Sequence, residues 1–129
     1  MQLMFANEDG SPFMADPRQA LKAIVDRFTA KNLTVVVATE LEFYLTDPGE
    51  NFATSQIADR VTDRYATVSL DELDHFEPIL NDIYKHCEEQ SIPADAAISE
   101  NGTGQFEINL NHVADPMRAA DDALSLIHI

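Results

Sequence analysis

The chain has 129 residues, 45% of them hydrophobic, and carries 23 acidic side chains against 8 Lys and Arg, for a net charge of −15. That much apolar material in a chain of domain size excludes wholesale disorder, and the acidic field excludes a nucleic-acid backbone or an anionic membrane surface as partner. A single cysteine, Cys87, excludes an internal disulfide and fits a reducing compartment. With no signal-peptide pattern at the start and no apolar run of bilayer length, the expectation is a soluble, cytoplasmic chain.

"MQLMFANEDGSPF" predicts a short strand running into a turn at Asp9-Gly10. "DPRQALKAIVDRFTAKN" predicts a helix with Asp16 as N-cap and Pro17 at its first position; Leu21, Ile24, Val25 and Phe28 recur at the spacing of one buried face. "LTVVVATELEFYL" is β-branched and aromatic and predicts a strand. Thr46 to Val68 is polar without clean periodicity, and reads as a long loop. In "SLDELDHFEPILNDIYKHCEEQ", Ser69 and Glu72 form a capping-box pair, and Leu73, Phe76, Leu80, Ile83 and Cys87 form an apolar stripe. Pro78 predicts a kink or restart in that helix. "ADAAISE" and "QFEINLNH" predict two strands of a hairpin joined by "NGTG", and a last helix starts with Asp115 as cap and Pro116 in its first turn. The elements add up to an α+β fold, an antiparallel sheet with flanking helices, with no repeat and no internal domain boundary.

Two glutamates inside the apolar stretch "ATELEFYL" need an explanation, because a carboxylate without a partner is costly to bury. Strand alternation puts Leu41, Phe43 and Leu45 on one face and Glu40 and Glu42 on the other, about 6.6 Å apart along the strand. In the hairpin, Glu107, Asn109 and Asn111 share one face, and the turn folds Glu100 back beside the partner strand. Four carboxylates on apolar strands suit a hard cation such as Mg²⁺ or Mn²⁺, which prefers oxygen ligands. The pattern alone is better described by the wet face of an antiparallel sheet, with solvated glutamates. The spacing thus leaves both readings open.

"TELEFYL" followed by "ENGTGQFEINL" resembles the glutamine synthetase superfamily, which carries Glu-x-Glu on one strand, then a further Glu, a small loop ending Gly-Gln, and another Glu. Here these are Glu40 and Glu42, then Glu100, Gly104-Gln105 and Glu107. "DGSPFMADPRQALKAI" is similar to the family's entry into its catalytic domain, and the resemblance runs from about Asp9 to about Leu124. "ENGTGQFEINLNH" is most similar to the branch that joins glutamate to amines, such as the γ-glutamylpolyamine synthetases. The resemblance implies part of a glutamine synthetase-type catalytic domain over residues 1–124. It implies an ATP-dependent ligase joining ammonia or an amine to the γ-carboxylate of glutamate through γ-glutamyl phosphate. Mg²⁺ or Mn²⁺ would be the metal, with Glu42, Glu100 and Glu107 on one ion and Glu40 on a second. The parent protein would be a ring-forming homo-oligomer with a β-grasp domain before Met1 and the rest of the catalytic domain after Leu124, so the piece alone is expected to be inactive. "LSLIHI" resembles a translated transposase-end sequence of the kind used in sequencing libraries, which makes residues 125–129 an expected non-native tail.

A competing reading from another class is a non-catalytic acidic domain that binds divalent cations or a basic partner protein. His75, His86, His112 and His128 have no ligand spacing and are expected at the surface or in packing. Cys87, on the apolar stripe, is expected to be a buried, inert thiol. Tyr44 shares the glutamate face. Motifs and patterns assign no nucleotide-binding or catalytic side chain.

Overall fold

The computed structural model describes residues 3–46, 68–102 and 104–129. The order of elements is α1 (Pro17–Thr29), β1 (Glu40–Tyr44), α2 (Leu70–His75), α3 (Glu77–Glu89), β2 (Ala94–Ser99), β3 (Gln105–Leu110) and α4 (Pro116–Leu126). The chain clusters into two compact units: the described residues of Met1–Thr39 with His112–His128, and those of Glu40–Asn111 with Ile129. Among the described residues no helix is long and apolar enough to cross a membrane. The loop expected over Thr46 to Val68 lies, from 47 to 67, outside the described residues.

In the first unit both helices start as their sequence signals predict. Asp16 Oδ1 accepts the Arg18 amide at 2.9 Å, while Oδ2 accepts the Phe5 amide at 2.8 Å, so the cap also holds the incoming chain. Asp115 caps α4 by accepting the amides of Met117 and Arg118. Pro17 and Pro116 occupy first-turn positions, where a missing N–H costs nothing. Arg18 grips Asp121 through two hydrogen bonds of 2.9 and 2.8 Å, tying α1 to α4. The expected N-terminal strand is reduced to an isolated bridge, Ala6 to Pro12, around a turn closed by the Gly10 amide on the Asn7 carbonyl. The face expected to be buried on α1 is only partly covered: Leu21 and Val25 are half-buried, Ile24 and Phe28 are exposed, and no α1 residue is fully buried. Helical periodicity prepares that face for burial, but covering it requires other chain.

The second unit is a three-stranded antiparallel sheet, β1-β3-β2, with α2 and α3 against β2. The predicted "LTVVVATELEFYL" strand is shortened to Glu40–Tyr44, preceded by an isolated bridge between Val37 and Val113. A ladder needs a partner opposite every residue, and β3 is only long enough for the second half. The predicted helix from Ser69 breaks at Phe76 (φ −99°, ψ 9°), two residues before Pro78, and restarts as α3. Proline lacks an amide hydrogen and crowds the carbonyl four residues back, so the helix cannot run through it. Phe76, Leu80 and Cys87 from the stripe are buried, as are Phe106, Ile108 and Leu110 on one face of β3. Phe106 stands edge-on to Phe76 at 5.3 Å and beside Phe43 at 6.2 Å, which seals sheet to helix.

Candidate metal centre

β3 is the central strand, and that decides the environment of the acidic residues. Its register places Glu107 directly opposite Glu42 on β1 and opposite Ile98 on β2, and places Asn109 opposite Glu40. Because side chains alternate, Glu40, Glu42, Glu107 and Asn109 share the face opposite Phe106 and Ile108. Glu100 lies two residues beyond Ile98 along β2, and its amide still donates to the Gln105 carbonyl at 2.8 Å, so it continues on that face. All four carboxylates singled out in the sequence therefore gather on one side of one sheet.

They are not equivalent. Glu107, flanked by a strand on each side, is 8% exposed, while Glu40 and Glu42 on the edge strand are exposed. Burial pushes the Glu107 carboxyl above its ordinary value; the charges of Glu40, Glu100 and Glu42 push it the same way, and a hydrogen bond with Asn109 opposes them. Among the described residues no group of three or more His, Cys, Asp or Glu side chains converges as a ready metal cage. The donor set still fits a hard divalent ion: it is all oxygen, all acidic, and contains a buried member whose ionisation the others disfavour.

A polar network beside these residues restrains one of them. Gln105 Nε2 donates to Glu42 Oε2 at 2.8 Å across the β1–β3 pair. The Gln105 carbonyl oxygen of the side chain accepts from the Tyr44 hydroxyl at 3.1 Å and the Gly102 amide at 2.9 Å. Gly102 is needed for this closeness, since a Cβ there would lie 2.7 Å from the Tyr44 hydroxyl and 2.9 Å from Gln105 Oε1. Gly104, at φ 70°, takes the left-handed conformation that glycine adopts without strain, and its carbonyl accepts the Leu45 amide at 2.9 Å. Gln105 had no role assigned from sequence, although its two-residue spacing from Glu107 places it on the acidic face.

Glu72 corrects the capping-box expectation. Ser69 Oγ accepts the Glu72 amide at 3.3 Å, but the Glu72 carboxylate does not return to Ser69. It turns into the core, 1% exposed, and Oε2 accepts from Ser99 Oγ and from the Gly104 amide, each at 3.3 Å. Its place in the capping pattern had concealed it. Tyr44 is exposed and joins the network; His112 is exposed. Cys87 is buried, and burial pushes its thiol up, as befits a packed, unreactive side chain.

Residues 14–128 match the family model described as glutamine synthetase, catalytic domain. The chain is 42% identical to the gamma-glutamylputrescine synthetase PuuA of Escherichia coli (strain K12), over 98% of this chain and 28% of that protein. It is 33% identical to type-1 glutamine synthetase 1 of Dictyostelium discoideum, over 85% of this chain and 23% of that protein. A solved GmaS/ADP complex superposes with a TM-score of 0.80 at 26% identity, covering 93% of this chain and 27% of that one. The chain thus spans about a quarter of the length of the curated relatives it matches. A family model that matches residues 14–128, an antiparallel sheet of the same architecture and the paired glutamate motifs agree: this chain belongs to the glutamine synthetase family and is part of its catalytic domain.

Proposed function

We propose that the complete protein carrying this chain is an ATP-dependent ligase that joins ammonia or an amine to the γ-carboxylate of glutamate, with the acidic sheet face as its divalent-cation site. The observation that carries this reading is Glu107, buried in the central strand with Glu42 directly opposite and Glu40 and Glu100 adding their charge. Glu42, Glu100 and Glu107 would hold one Mg²⁺ or Mn²⁺ and Glu40 would serve a second. Bound there, the cations offset the repulsion between the glutamate carboxylate and the phosphates of ATP.

This chain's residues contribute orientation and charge. Gln105 restrains the Glu42 carboxylate from one side, leaving its other oxygen available. Burial of Glu107 lowers the local dielectric and strengthens its pull on any cation. The chain holds only 8 Lys and Arg, none within the two glutamate motifs, so groups that clamp phosphates are expected elsewhere in the complete protein, and the 129-residue chain alone is expected to be inactive. The relatives whose names specify an amine, a gamma-glutamylputrescine synthetase and a glutamate–isopropylamine ligase, support an amine acceptor.

The test is ATP-dependent phosphate release with glutamate plus ammonia, methylamine, ethanolamine or putrescine. It compares the complete protein, its Glu107→Gln variant and the isolated chain. Turnover with at least one acceptor is expected, reduced by about 100-fold or more in the variant. An equally active Glu107→Gln protein would overturn the assignment.

A further inference from the structure

Glu72 is the most deeply buried carboxylate among the described residues, and neither its own helix nor the acidic face accounts for it. Replacing a core carboxylate by an apolar side chain of similar volume is often neutral or stabilising, so stability alone is a poor reason for this one. One of its oxygens, Oε1, is buried without a hydrogen-bond partner, and the other does all the bonding. That single oxygen meets the turn between β2 and β3 from the core side and holds it at two points. Ser99, fully buried, is the last residue of β2; Gly104 immediately precedes β3.

The two anchor points stand next to groups of the acidic face. Ser99 precedes Glu100. Gly104 precedes Gln105, the residue that restrains Glu42, and the Gly104 carbonyl accepts the amide of Leu45, the residue that follows β1. An acceptor at Glu72 therefore sets the span of the turn, and through it the approach of β2 and β1 to Glu107. Both donors converge on one oxygen, so a single side chain fixes both ends of the turn.

We propose that Glu72 is a positioning residue: its buried carboxylate clamps the β2–β3 turn so that Glu100 and Gln105 take their places around the cation site. The inference rests on the reading of the acidic face as that site, and the experiment separates the two. Mn²⁺ alone is titrated into the complete protein by calorimetry, and amide hydrogen exchange of residues 99–105 is followed without metal. The variants are Glu107→Gln, Glu72→Gln, Glu72→Leu and Ser99→Ala. Glu72→Leu keeps the core filled and removes the acceptor; it is expected to bind Mn²⁺ about tenfold more weakly or worse, the usual cost of losing an outer partner of a metal ligand, with faster exchange across the turn. Glu72→Gln keeps an acceptor oxygen and should stay within about threefold of the parent, while Ser99→Ala, which loses one of two clamp donors, should fall between. A purely structural role for Glu72 would lower the melting temperature without moving Mn²⁺ affinity, and Glu72→Leu binding Mn²⁺ like the parent overturns the clamp. Should Glu72→Leu fail to fold, Ser99→Ala with unchanged affinity and exchange overturns it equally. If the parent and Glu107→Gln bind Mn²⁺ alike, the cation site itself is wrong and the inference falls with it.

Discussion

Glu42 and Glu107 face each other directly across the β1–β3 ladder, two carboxylates at adjacent positions on neighbouring strands. Like charges placed opposite one another weaken a sheet, by about 0.2–1 kcal/mol per pair. A fold does not benefit from this pairing unless a cation occupies the space between them.

Glu107→Gln should therefore stabilise the metal-free protein, by about 0.2–1 kcal/mol at neutral pH, while weakening divalent-cation binding. Denaturant melts in chelator, with and without added Mg²⁺, measure both effects. Equal destabilisation under both conditions would show that the buried carboxylate is held by partners other than a cation.

The pH dependence has a definite sign. The folded Glu107 carboxyl is raised above the value of 4.5 expected for the unfolded chain, so the folded state binds its proton more tightly. Its contribution to stability is then fully present below the unfolded value and is lost as pH rises through the raised folded value. Metal-free stability should carry a falling component across that window, absent in Glu107→Gln. With Mg²⁺ present the sign reverses, because protons compete with the cation for the same oxygens. Melting temperature against pH, measured for both proteins with and without metal, distinguishes the cases.

Gln105 and Gly102 should affect binding more than folding. Gln105→Ala releases Glu42 Oε2 and leaves the Tyr44 hydroxyl and the Gly102 amide without their acceptor; about a tenfold loss of cation affinity is expected. In Gly102→Ala the new methyl meets only the ends of the Tyr44 and Gln105 side chains, which can swing away. The stability cost should stay within about 1 kcal/mol, while Glu42 loses its restraint and affinity falls as in Gln105→Ala. A Gly102→Ala protein that binds Mn²⁺ normally would mean that Gln105 does not hold Glu42 in solution.

Phe106 supports the opposite face of the same strand. It has no exposed surface and packs against Phe76 and Phe43, so Phe106→Ala should cost about 3–5 kcal/mol. Phe106→Leu, which fills most of the space, should cost less than half of that. Equilibrium unfolding of the complete protein gives the comparison, and equal losses for both variants would place the energetic weight on ring stacking instead of volume.

Local sequence determined whatever depends on neighbours a few residues apart. Asp16 and Asp115 cap their helices, Pro78 breaks the helix ahead of it, and alternation in "ELEFY" separates Glu40 and Glu42 from Leu41 and Phe43. The paired glutamate motifs made the family legible as well. Tertiary structure decided which strand lies in the middle, because strand periodicity says which residues share a face but not which strands pair or in what register. Placing β3 between β1 and β2 buries Glu107 and leaves Glu42 exposed, though both read alike in sequence. The same pairing brings Gln105 to Glu42 and the core-facing Glu72 under the turn, across separations of 63 and 32 residues. Conversely, the apolar face of α1 is plain in the sequence yet only partly covered here, with Ile24 and Phe28 exposed, since periodicity can prepare a surface for burial but only other chain can cover it.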